Sequence, residues 1–164
     1  MVLMTLVPIH ICSLAAAREL DVSVYDGVIT IEDTTIEEPF RVEDDGPQQL
    51  VLRFDDISVP MDGYVEPDES HIHAALAFAY KIAKDTGGSI LIHCHAGISR
   101  SSAIALAIIA QGLGNGKEKQ AVHQLELINP NCRPNRSLVK MTDVMLKRDG
   151  KLYDSVYEMV QFTT

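Results

Sequence analysis

Tryptophan is absent from the sequence, and cysteine occurs only three times in 164 residues. Cys12, Cys94 and Cys132 are too few and too scattered for a disulfide framework, which excludes a small stapled scaffold. Basic residues are also scarce. Lysine and arginine number 14 against 23 acids, giving a formal charge of −9. A surface that acidic argues against nucleic acid and anionic membrane as main partners. No apolar run reaches the ~18–20 residues of a membrane span. Residues 1–17 are apolar and end in three alanines, but the first lysine or arginine is Arg18, and Pro8 and His10 interrupt the run. A first strand and a helix are therefore expected there in place of a secretory signal, which needs a basic start. Repeats, low-complexity tracts and a second-domain linker are absent as well. With 46% apolar and 23% charged residues, the chain is expected to form one domain over 1–164.

What the sequence does contain is concentrated between Ser89 and Ala110. Ile90 to Ile92 are apolar without alternation, which suits a central strand covered on both faces. Gly97 permits a tight turn, and Arg100, Ser101 and Ser102 open an apolar helix that runs through Ala110. The first turn of that helix presents unpaired N–H groups and the positive end of its dipole to whatever lies inside the turn. A phosphate-sized anion is the natural occupant. Arg100 can add a two-pronged, charge-assisted grip. The same field favours the thiolate form of Cys94, which places a nucleophile on the floor of an anion cradle. The rival reading, a buried and inert core cysteine, explains neither the arginine nor the turn.

His93–Cys94–(five residues)–Arg100–Ser101 resembles the signature of the cysteine-dependent protein tyrosine phosphatases. The form His93–Cys94–x–Ala96–Gly97–x–Ser99–Arg100–Ser101 looks most like the compact dual-specificity branch. The resemblance covers roughly Leu50 to Leu146 and implies a phosphocysteine intermediate with no metal or other cofactor. It implies that His95, Ala96, Gly97, Ile98, Ser99 and Arg100 hold the phosphate, with His95 on the pocket rim. It implies further that Ser101 supplies the hydroxyl that helps the thiolate leave and that His93 orients the loop. Asn135, at the start of a late helix, is the counterpart of a buttressing asparagine. An ordinary helix cap is the competing reading for it.

Attack by a thiolate on a phosphate ester needs a proton donor for the departing oxygen. Asp55 and Asp56 follow a strand at Leu50–Phe54 and precede a loop containing Pro60, Gly63 and Pro67. Asp56, followed by Ile57, fits the family register best and is the expected acid. Asp55 is the second choice and Asp62 the third. Adjacent strand residues point opposite ways, so only one of the pair can face Cys94. Zinc binding through His93, Cys94 and His95 with Cys12, Cys132, His71 or His73 is disfavoured, because no second pair has zinc-like spacing and Arg100 repels a cation.

Along the chain, strands are expected at Val2–Val7, Val22–Val24, Val28–Ile31, Leu50–Phe54 and Ile90–Ile92. Helices are expected at Ser13–Leu20, from an Asp68 cap to Lys84, from Arg100, and over Lys117–Ile128, Arg136–Lys147 and Leu152–Phe162. Residues 32–47 carry seven acids against Arg41 and read as a solvated loop. The alternation implies an α/β fold with a mainly parallel sheet and helices on both faces, phosphotyrosine-phosphatase-like in its resemblance. Ligands of such sheets bind beyond the carboxyl ends of the strands, where Cys94, Asp55 and Asp56 lie.

The function expected is hydrolysis of phosphate monoesters, phosphotyrosine first and phosphoserine or phosphothreonine next, on a phosphorylated protein or peptide. A reactive thiol favours the cytoplasm. Two rivals stand beside it. Arsenate reductases related to the low-molecular-weight phosphatases carry the cysteine loop near the N-terminus, whereas here it lies past mid-chain. Sulfur transfer has no need of an upstream aspartate, and a non-catalytic phospho-binding module would be expected to lose the cysteine, the arginine or the acid. The absence of lysine and arginine from His95–Ser99 separates this loop from the basic loops of lipid phosphatases.

Overall fold

Ile90, Leu91 and Ile92 are fully buried, as a strand with neighbours on both sides and cover on both faces must be. The structure, a computed structural model, describes residues 7–163. Four strands, β1 (Ile9–Ser13), β2 (Gly27–Glu32), β3 (Gln48–Arg53) and β4 (Ile90–Cys94), form one parallel sheet in the order β1-β4-β2-β3. The helices are α1 (Leu14–Glu19), α2 (Glu69–Asp85), α3 (Arg100–Leu113), α4 (Glu118–Ile128), α5 (Arg136–Met145) and α6 (Lys151–Met159).

Alternation along the strands divides the cover. Ile29, Ile31, Ile90, Ile92 and Cys94 join the core shared with α2 to α6. Val28, Thr30, Leu91 and His93 turn the other way, where the short α1 packs on β1 and β4 and Phe40 meets the His93 ring edge-on at 5.0 Å. One layer is thus thick and helical, the other thin and largely irregular. Helix α3 is apolar all round, with its residues through Ala110 buried, and it forms the spine of the thick layer. Helix α2 begins in a reciprocal cap: Asp68 accepts from Ser70 N, and His71 accepts from Asp68 N.

Several sequence expectations are corrected. Positions 2–6 of the expected first strand lie outside the described residues. Val7 and Pro8 are not in a strand, and β1 starts at Ile9. There Ile9 and Ile11 alternate with His10 and Cys12 on an edge strand, a weaker signal than the apolar run before Pro8. Val22–Val24 is a 3-10 turn, because the Asp21 carboxylate accepts from Ser23 N and that local bond prevails over β propensity. Glu32 is not solvated. It is 3% exposed and paired with Arg41 at 2.8 Å, so Arg41 draws the acidic segment onto the sheet. Helix α6 stops at Met159, and Gln161 adopts φ +73°.

Candidate active site

The turn after β4 is built by its outer partners. Gly97 has φ +73°, and a Cβ there would come within 2.6 Å of the Cys12 backbone, so both conformation and space require glycine. Carbonyls of the turn are taken from outside: His95 O by Leu14 N at 3.0 Å, Gly97 O by Asn129 Nδ2 at 2.8 Å, Ile98 O by Arg133 N at 3.0 Å, and Ser99 O by Asn135 N at 3.2 Å. A trans peptide points its N–H opposite its carbonyl. The amides of Ala96, Ile98, Ser99 and Arg100 are therefore turned to the inner side of the loop. There Gly97 N donates to Cys94 Sγ at 3.3 Å, and Ser101 Oγ lies 3.1 Å from the same sulfur. Helix α3 starts with no side-chain cap, which leaves its first-turn donors for a ligand. Cys94 is 3% exposed at the floor of this cradle. Burial pushes the thiols of Cys12 and Cys132 up to about 11, so neither competes as a nucleophile.

The two aspartates after β3 separate cleanly. Asp55 is buried and accepts from Thr34 N at 3.1 Å, Thr34 Oγ1 at 2.8 Å and Val65 N at 2.8 Å. Burial acts to raise its pKa, but these bonds and the Arg100 charge outweigh it and hold the carboxyl below its ordinary value. It ties down the loop as an anion. Asp56 instead lines the cleft with Cys94. Its Oδ1 accepts from Ser99 Oγ at 2.7 Å and from Asn135 Nδ2 at 2.9 Å, and Oδ2 has no partner among the described residues. Asn135 makes two sets of contacts. It caps α5 by accepting from Leu138 N at 3.0 Å, and its amide holds Asp56 and Ile57 O. Asp62 is not among the cleft residues.

His93 is buried with Nε2 hydrogen-bonded to Thr30 Oγ1 at 2.8 Å, while Nδ1 has no partner among the described residues. Burial pushes its pKa down to about 4, so the ring is neutral at pH 7. Arg100, 3% exposed, donates through Nη1 to Phe54 O at 2.8 Å and pairs with Asp33 Oδ1 at 2.8 Å. The open cleft, about 670 Å³, is lined by Asp33, Asp56, Cys94, Ile98, Arg100 and Phe162, with His95, Ala96, Ser99, Arg133 and Thr163 completing it. Asp33, Asn129, Arg133 and Phe162 were not legible in the sequence. Position at the carboxyl end of β2 was the one signal for Asp33, and the other three carry none. Among the described residues no three His, Cys, Asp or Glu side chains gather at metal-binding spacing, and no helix is long and apolar enough to cross a membrane.

No family model matches the chain. Dual specificity protein phosphatase 12 of Rattus norvegicus is 38% identical over 66 residues, which are 40% of this chain. The match covers 19% of the relative, so the chain corresponds to about a fifth of its length. Among solved structures, DUSP15 is similar with a TM-score of 0.63 and 20% identity, covering 94% of this chain and 95% of that one. Human DUSP28 has a TM-score of 0.65 at 18% identity over 85% and 91%. PTPMT1 in complex with PI(5)P gives 0.62 at 21% over 85% and 90%. The chain has the fold of the dual-specificity phosphatases.

Proposed function

We propose, from that shared fold and from the loop that closes over Cys94, that this chain is a cysteine-based phosphatase acting on phosphate monoesters. The observation that carries the reading is the sulfur itself, which takes a hydrogen bond from Gly97 N, lies 3.1 Å from Ser101 Oγ and shares the cleft with Arg100. In the first step the Cys94 thiolate attacks phosphorus and the P–O bond to the leaving group breaks. Asp56 protonates the departing oxygen from Oδ2. In the second step Asp56 takes a proton from water as the water oxygen attacks phosphorus. The P–S bond breaks, and the Ser101 hydroxyl donates to the returning thiolate. Loop amides and Arg100 hold the equatorial oxygens throughout.

Protein or peptide phosphotyrosine, with phosphoserine and phosphothreonine next, is the substrate class supported by two features. The loop His95–Ser99 holds no lysine or arginine, and Ile98 and Phe162 offer apolar walls to a ring beside the phosphate. PTPMT1 has been captured with PI(5)P, which makes that lipid the informative counter-substrate. The test is hydrolysis of p-nitrophenyl phosphate, lost completely in Cys94→Ser. The Cys94→Ser protein then traps phosphoproteins from a native extract. Equal turnover by wild type and Cys94→Ser overturns the mechanism, and a preference for PI(5)P over phosphotyrosyl peptides overturns the substrate class.

A further inference from the structure

Arg100 is held in an asymmetric way. Two oxygens lie 2.8 Å from the same nitrogen, Nη1: Phe54 O accepts its hydrogen bond, and Asp33 Oδ1 forms an ion pair with it. Nε is buried and has no partner among the described residues. An unpartnered buried donor is costly, and in a native site it marks a place kept for something else. A guanidinium grips a phosphate through two adjacent N–H groups along one edge. With Nη1 already engaged, the edge carrying Nε is the one left for a ligand in the cleft that Arg100 lines.

We propose that Asp33 is a positioning residue for Arg100: it pins the Nη1 corner so that the Nε edge meets an oxyanion squarely. The inference rests on reading the cradle as a phosphate site. A carboxylate that competed with substrate would take the fork itself, as carboxylates do when they bind arginine in bidentate fashion. The shortest approach of Asp33 is to Nη1, the nitrogen that already donates to a backbone carbonyl, and it accepts no hydrogen bond from Nε or Nη2. Its side chain is 38% exposed and its carboxylate has no other partner among the described residues, so its removal leaves the core untouched. The next residue, Thr34, binds Asp55 through both its amide and its hydroxyl. Two consecutive residues after β2 thus set the arginine and anchor the loop that carries Asp56.

The test compares Asp33→Ala and Asp33→Asn with wild type in the full chain, by p-nitrophenyl phosphate kinetics, melting temperature, and vanadate protection of Cys94 against iodoacetate. Loosening a positioned group costs up to ~100-fold, so Asp33→Ala should lose about 10- to 100-fold in kcat/KM and a similar factor in the vanadate concentration that protects, at an unchanged melting temperature. Asp33→Asn keeps an oxygen for Nη1 and should recover most of that loss, which a merely structural role would not predict. The proposal is overturned if Asp33→Ala matches wild type, or if it binds vanadate more tightly, since Asp33 would then be a competitor for the arginine. If wild type is active and Cys94→Ser is dead while the Asp33 variants are silent, this inference alone fails. If wild type neither hydrolyses the ester nor binds vanadate, the phosphatase reading falls and takes this one with it.

Discussion

Asp55 and Asp56 are neighbours whose oxygens have different work. Asp55 accepts two hydrogen bonds from Thr34 after β2 and one from Val65 in the loop it closes, whereas Asp56 lines the cleft with Oδ2 free of partners among the described residues. Asp56→Asn should therefore slow alkyl phosphates by ~100- to 10,000-fold, the usual worth of a general acid. Esters of nitrophenol, which leave without help, should suffer much less. Asp55→Asn should cost about 1–3 kcal/mol of stability through unmet donors, with no such dependence on leaving group. Observing the leaving-group dependence in Asp55→Asn would reverse the assignment. His93 gives a prediction in pH. Its pKa of about 4 in the fold lies below the ordinary 6.5, so the unfolded chain binds the proton more readily. Both states are neutral above 6.5. As pH falls from 6.5 toward 4 the unfolded state is favoured, by on the order of 3 kcal/mol when complete. His71, also lowered by burial, adds to the slope. The melting temperature should fall across that window and flatten in His93→Asn, provided that variant folds. An unchanged slope would show that the proton is taken up elsewhere.

At the scale of elements, α3 is positioned at both ends by groups distant in sequence. Its start is the turn after β4. Its far end is capped by Arg148, 5% exposed, which donates to Ala110 O at 2.6 Å, Gly114 O at 2.9 Å and Glu118 Oε2 at 2.9 Å. Removing one partner of a buried ion pair strands the other charge, so Arg148→Ala should cost about 3–5 kcal/mol, read by urea unfolding. The double change Glu118→Gln with Arg148→Met should cost much less, and KM should not move in either. Equal losses in the single and double variants would argue that the carbonyl bonds, and not the pair, carry the energy. The helices themselves were legible in the sequence: Asp68 and Asn135 cap where their side chains predicted, and the Ile72–Ile82 stripe is the buried face of α2. The edge strand β1 was not, because a strand covered on one side by a short helix needs no strong apolar pattern. Arg148 gave no signal either, since nothing in its neighbourhood announces that a carbonyl cluster from α3 will meet it.

In the whole molecule the cleft gathers five stretches: the end of β2, the loop after β3, the turn after β4, the turn between α4 and α5, and the segment after α6. The turn was legible because its chemistry is contiguous. Asp33 was hidden among seven acids, and Phe162 looked like the last apolar position of a helix. Its true place depends on a chain reversal. Gln161 at φ +73° turns the backbone, Arg133 Nη1 takes Val160 O at 3.0 Å, and Thr163 N bonds Pro134 O at 3.2 Å. Phe162 is thereby pressed between Tyr153, at 4.7 Å between rings, and Arg136, 4.5 Å from its centroid, with one edge on the cleft. If the proposed function holds, a wall built from so distant a part of the chain limits the width of the pocket and stands outside the phosphate cradle. Phe162→Ala should then leave kcat for p-nitrophenyl phosphate within about threefold, as expected of a group outside the transition-state contacts. It should raise kcat/KM for a wider ester such as naphthyl phosphate relative to the nitrophenyl one. Phe162→Leu, which keeps most of the bulk, should lie between. If the ratio of the two esters is the same in all three proteins, Phe162 packs the segment and plays no part in choosing the substrate.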